Sequence, residues 1–170
     1  ELNSMLLTDF TDEGQAWGTI DDVVMGGVSS SQFRVADGVA HFEGTVSLEN
    51  NGGFASARSN PGHFDLKGYD GLEIRCRGDG KKYAFRLRTT DAFDGISYQC
   101  MFETTENIWE SARIPFAQFR PVFRGREVAD AVPLDPSKIR TLGVLIADEQ
   151  EGVFHLKIDW IRAYRNASAE

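Results

Sequence analysis

The stretch LEIRCRGDGKKYAFRLR, Leu72 to Arg88, decides the fold class. Before its glycines, Leu72, Ile74 and Cys76 alternate with Glu73, Arg75 and Arg77. After them, Tyr83, Phe85 and Leu87 alternate with Arg86 and Arg88. Alternation with a period of two marks a strand with one buried face. Gly78, Asp79 and Gly80 between the two runs have hairpin turn chemistry, so the two strands are expected to pair with each other. The Arg77-Gly78-Asp79 tripeptide is read as part of that turn rather than as an adhesion signal.

The same pattern extends outward. SYQCMFE places Tyr98, Cys100 and Phe102 on one side and Gln99 and Met101 on the other. TLGVLIA is a short apolar run. VFHLKIDWIRAY alternates with Phe154, Leu156 and Ile158 inward, and the adjacent apolar pair Trp160-Ile161 suits a bulge after Asp159. Turn signals sit at ADG (Ala36–Gly38) and NNGGF (Asn50–Phe54). No segment has sustained helical periodicity, and only PFAQF and DPSKI suit short helical turns. Many short strands with glycine-rich turns predict a sandwich or barrel. No repeat, low-complexity segment or linker divides the 170 residues, so a single domain over 1–170 is expected.

The net charge of −8 argues against broad nucleic-acid binding, which needs a basic surface. No apolar run is long enough to span a membrane as a helix. No basic segment followed by an apolar one opens the sequence, so no signal peptide is read. The expected location is the bacterial cytoplasm or an organellar stroma or matrix. Cys76 and Cys100 are read as buried free thiols, with a disulfide as the alternative if their strands are neighbours.

Chemistry-bearing patterns are sparse. There is no P-loop, no zinc-type Cys/His spacing and no nucleophile elbow. His41, His63 and His155 are scattered, and His155 falls on a polar phase where a solvated side chain is expected. Asp21 and Asp22 would point to opposite sides of an extended chain, which suits a turn or cap better than an acid/base pair. Arginine is in excess, with 13 Arg among the 18 basic residues. Arg75, Arg77, Arg86 and Arg88 share the non-core phase of two strands joined by a tight turn, so one basic sheet face is expected, suited to an anionic ligand or an acidic partner. The competing reading is a solvated face paired with Glu73, Glu103 or Asp94. Arg120, Arg124 and Arg126 are placed in a long loop.

Six ordered segments carry a resemblance: DDVVMGGVS (21–29), FEGTVSLENNGGFASARS (42–59), YDGLEIRCRGDGKKY (69–83), DGISYQCMF (94–102), PFAQFRPVFRGR (115–126) and LDPSKIRTLGVLIADEQEGVFHLKIDWI (134–161). Together they resemble the complex I intermediate-associated protein 30 family, from about Asp9 to Tyr164. The resemblance implies a galactose-binding-like, two-sheet jelly-roll β-sandwich and an assembly-factor role with protein partners, which include subunits of a membrane complex. The sequence lacks the Arg-rich transit segment of mitochondrial members and is similar to a stand-alone bacterial or organellar domain. No cofactor is expected. Because such folds often hold a structural Ca²⁺, Asp9, Asp12, Glu13 and Asp159 are candidate ligands if the terminal strands pair.

Three function classes follow. The favoured one is a non-catalytic protein-binding domain; the second is a module for a carbohydrate or small anion; an enzyme is the least favoured. The partner or ligand surface is expected among Trp17, Asp21, Asp22, Met25, Asn50, Asn51, Arg58, Arg75, Arg77, Arg86, Arg88, Gln99, Arg124 and Arg126. Trp17, Trp109 and Tyr98 are candidate platforms for a sugar ring. The partner's identity and the oligomeric state are left open.

Overall fold

The computed structural model describes residues 4–10, 17–21, 27–49, 53–90 and 95–166. Among the described residues, thirteen strands follow one another: β1 (Ser4–Thr8), β2 (Trp17–Asp21), β3 (Ser30–Ala36), β4 (Val39–Val46), β5 (Ala55–Ser59), β6 (Gly71–Arg77), β7 (Lys82–Arg88), β8 (Ser97–Glu103), β9 (Trp109–Pro115), β10 (Arg120–Phe123), β11 (Arg126–Glu127), β12 (Thr141–Ile146) and β13 (Gly152–Tyr164). The two helical turns read from PFAQF and DPSKI are present as single 3-10 turns, Phe116–Gln118 and Pro136–Lys138. The second is opened by Asp135, whose carboxylate accepts from the Ser137 amide.

The strands form two antiparallel sheets. Sheet I has the order β3-β4-β13-β6-β9, with β1 also paired to β13. Sheet II has the order β11-β10-β8-β7-β12-β5-β2. The inward phases read from the sequence face each other across the core. Phe42, Leu72, Ile74, Cys76, Phe154, Leu156 and Ile158 come from sheet I; Tyr83, Phe85, Leu87, Leu142, Val144 and Ile146 come from sheet II. All are essentially inaccessible, which makes this the dominant stabilising layer. β1 pairs with the end of β13, so the terminal strands are neighbours. The register of β13 against β6 shifts between Ile158 and Trp160, which is the bulge that the two consecutive apolar residues called for.

One expectation is overturned. β6 and β7 do not pair: β6 lies between β13 and β9, and β7 between β12 and β8. Gly78–Lys81 is a crossover from sheet I to sheet II, not a hairpin. Gly78 is required there because a Cβ would collide with the Thr104 side chain. Asp79 fixes the crossover. Its Oδ1 accepts from the Tyr83 hydroxyl at 2.9 Å and its Oδ2 from the backbone N–H of His155 at 2.9 Å. The aspartate of the Arg-Gly-Asp tripeptide therefore ties one sheet to the other. True two-residue hairpins lie elsewhere. Asp37-Gly38 joins β3 to β4, and Arg124-Gly125 joins β10 to β11, with all four residues at positive φ. Arg124 and Arg126 thus belong to an exposed hairpin, not a long loop.

Both cysteines are free thiols. Cys76 is buried, and burial pushes its thiol up to about 12, so it behaves as a small apolar side chain.

Candidate functional site

The crossover splits the expected basic face. Arg75 and Arg77 lie on the outer side of sheet I; Arg86 and Arg88 lie on the outer side of sheet II, across the sandwich. On sheet I, Arg75 lies over the Trp109 ring at 5.9 Å and Arg162 over Trp160 at 4.3 Å. Glu73 accepts from Arg162 at 2.7 Å and lies 3.6 Å from Arg113, so it pairs with neither Arg75 nor Arg77. That face pairs Arg75 and Arg162 with tryptophan rings and sets Glu73 between Arg162 and Arg113.

Sheet II is different. Its pairing register places Gly18, Arg58, Gly143, Arg86, Gln99 and Arg120 in one row across β2, β5, β12, β7, β8 and β10. Arg88 lies two residues along β7 from Arg86, on the same side. The floor around the row is unusually covered. Ser56, Ala84, Ser97, Val122, Thr141 and Leu145 share this outer side, and all are buried. All six residues of β12 are buried for the same reason, which explains why TLGVLI reads as a continuous apolar run instead of an alternation.

Burial pulls Arg86 down to about 10, helped by the charges of Arg88 and Arg58. Arg58 is likewise pulled to about 10, by burial and then by Arg88. Both remain cations at neutral pH, so like charges are held close together on a partly dry surface. Arg86 donates from Nε to Gln99 Oε1 at 3.0 Å, and no carboxylate among the described residues is bonded to it. Arg88 donates to the Gly95 carbonyl at 3.1 Å. Arg58 and Arg88 are engaged in further interactions as well. The sequence had marked Arg58, Arg86, Arg88 and Gln99 separately; what it did not carry is the common row, with Arg120 as a further member.

The remaining sequence candidates fall elsewhere. Trp17 stacks on Phe33 at 4.8 Å between ring centroids and packs near Phe10, so it is not an open platform. Tyr98 is buried, with its hydroxyl donating to the Val132 carbonyl at 2.6 Å. Asp21 closes strand β2 rather than a turn, and it accepts from the Ser31 hydroxyl of β3, in the other sheet, at 2.5 Å. Asp22, Met25, Asn50 and Asn51 lie outside the described residues, as do Asp12 and Glu13 of the Ca²⁺ set. Among the described residues, no three His, Cys, Asp or Glu side chains are arranged to hold a metal ion, so Asp9 and Asp159 do not make a site on their own.

His155 is not the isolated, solvated side chain expected. Its Nε2 lies 2.9 Å from His41 Nδ1 and 3.6 Å from Glu43 Oε2, while Arg34 Nε donates to Glu43 Oε1 at 2.6 Å. No helix among the described residues is long and apolar enough to cross a membrane.

The comparisons with known proteins agree with this architecture. A carbohydrate-binding module of family 11, from the cellulosomal cellulase Lic26A-Cel5E of Clostridium thermocellum, superposes with a TM-score of 0.76 at 15% identity, covering 100% of this chain and 99% of that one. That likeness establishes the jelly-roll fold. An uncharacterized protein of Schizosaccharomyces pombe is 32% identical over 170 residues, with 88% of this chain and 78% of the relative covered. The mouse mitochondrial complex I intermediate-associated protein 30 is 30% identical over 105 residues. That match spans 59% of this chain and only 32% of the mouse protein. The family model for complex I intermediate-associated protein 30 matches residues 8–158. The chain belongs to the complex I intermediate-associated protein 30 family.

Proposed function

We propose that the chain is a non-catalytic docking domain of the assembly-factor kind, which holds an acidic segment of a partner protein against the arginine row of sheet II. The partners proposed are subunits of a membrane complex under assembly, in an organellar setting like that of the relatives named as mitochondrial. Arg86 is the observation that carries the reading: a partly buried cation beside two others, bonded to a neutral amide. An anionic partner would relieve that repulsion, and the sheltered floor strengthens the attraction. The carbohydrate reading would have to use sheet I, where Trp109 and Trp160 already lie under Arg75 and Arg162, because the described outer side of sheet II presents no aromatic ring for a sugar to stack on.

The test is affinity purification from the native organism with mass spectrometry, using wild type, Arg86→Gln/Arg88→Gln and, as a control on the opposite face, Arg75→Gln/Arg77→Gln. The sheet II variant is expected to lose partner capture by about tenfold, equivalent to about 1.4 kcal/mol. The sheet I variant should keep it, and wild-type capture should fall as salt rises. Equal capture by all three proteins, at equal melting temperature, overturns the reading.

A further inference from the structure

Resting on that docking reading, we propose that the slot above Gly143, between Arg58 and Arg86, is a carboxylate-binding site that receives the side-chain carboxylate of the partner's acidic segment. Gly143 pairs directly with Arg58 on one side and Arg86 on the other, so the strand between two arginines contributes no side chain of its own. A Cβ there would lie 3.6 Å from the Arg58 Cβ and 2.9 Å from the Ala57 carbonyl oxygen, so the opening exists because the residue is glycine. The depression is lined by Ser56, Arg58, Arg86, Arg88 and Thr141 and holds about 10 Å³, room for one water-sized group. An oxygen of a planar carboxylate fits that space, and a sugar ring does not.

The donors suit the same ligand. Arg86 spends its Nε on Gln99, which fixes the guanidinium plane and leaves the two terminal amino groups for a two-pronged contact. Arginine makes that contact with carboxylates through parallel N–H···O bonds, which a lysine cannot reproduce. Arg58 and Arg88 line the same depression, and their charges act on Arg86.

The experiment measures melting temperature and calorimetric binding at constant ionic strength, with acetate replacing chloride. It then uses a blocked glutamate tripeptide and its glutamine counterpart. Wild type is expected to be stabilised by acetate and to bind the glutamate peptide but not the glutamine one. Arg86→Gln and Arg86→Lys should each weaken both responses by about tenfold, whereas Lys157→Gln, on the outer side of sheet I, should leave them unchanged. Circular dichroism confirms that each variant is folded, and Arg86→Lys keeps the charge, so a loss there reports the lost fork. Indifference to acetate, or a response that survives in both Arg86 variants, overturns the slot. If the slot responds but partner capture ignores Arg86, the slot stands and the docking reading falls. If capture needs Arg86 and no carboxylate response exists, the slot falls.

Discussion

At the residue scale, Asp79 is the side chain on which most converges. It accepts from Tyr83 of sheet II, from the backbone of His155 in sheet I, and from the Lys81 amide at 3.2 Å within its own turn. Hydrogen bonds to an ionised acceptor contribute more than neutral ones, and the Tyr83 hydroxyl left behind would be a buried donor without its acceptor. Asp79→Ala is therefore expected to cost about 3 kcal/mol in denaturant melts, and Tyr83→Phe about 1 kcal/mol, because the latter removes one bond and strands no buried donor. The same bonds leave the Arg-Gly-Asp carboxylate committed inside the fold. A turn residue's partners lie 4 and 76 positions away in sequence, which is why local reading recovers the turn and not its anchor.

At the scale of elements, the phases of individual strands were legible and their pairing was not. Alternation names the inward residues of β6, β7 and β13 correctly, because burial of one face is a property of the strand itself. Gly-Asp-Gly chemistry serves a hairpin and a sheet-to-sheet crossover equally, so the choice belongs to long-range pairing, and Arg75 and Arg77 went to the wrong face with it. The row through Gly143 was hidden for the same reason: a glycine gains meaning only once Arg58 and Arg86 are its neighbours. The pairing of β4 with β13 likewise makes a histidine pair that no local pattern announces. His41 is held below its ordinary value of 6.5 by burial first, then by Arg34, His155 and Lys157, with Glu43 opposing; His155 is lowered by burial first, with Glu43 and Asp79 opposing and Lys157 and Arg34 adding to the fall. Depressed imidazoles mean that the unfolded chain binds more protons in that range, so stability is full above 6.5 and falls as the pH drops below it. His155→Gln is expected to flatten that fall between pH 6.5 and 5. A melting profile identical to wild type across this range would show that the pair does not titrate with folding. Glu43, held below 4.5 by its bond from Arg34, acts in the same direction at more acidic pH.

At the scale of the whole molecule, net charge and local field disagree. The chain carries −8 overall, yet sheet II concentrates cations in one row, so the docking proposal asks an acidic protein to receive acidic partners through one local field. Both sheets are stitched by contacts distant in sequence, and sheet I depends on its last strand most of all. β13 sits at its centre, flanked by β4 and β1 on one edge and β6 on the other. A ribosome emits that strand after every neighbour it must join. Until Gly152–Tyr164 has cleared the exit tunnel, β4 and β6 face a gap, each with an open edge of unpaired amides and carbonyls. Nascent chains arrested before Gly152 are expected to be digested rapidly by protease and to recruit chaperones, and chains released beyond Tyr164 to resist. Sheet I thus closes only once its last strand has emerged, and until then the domain is itself a client.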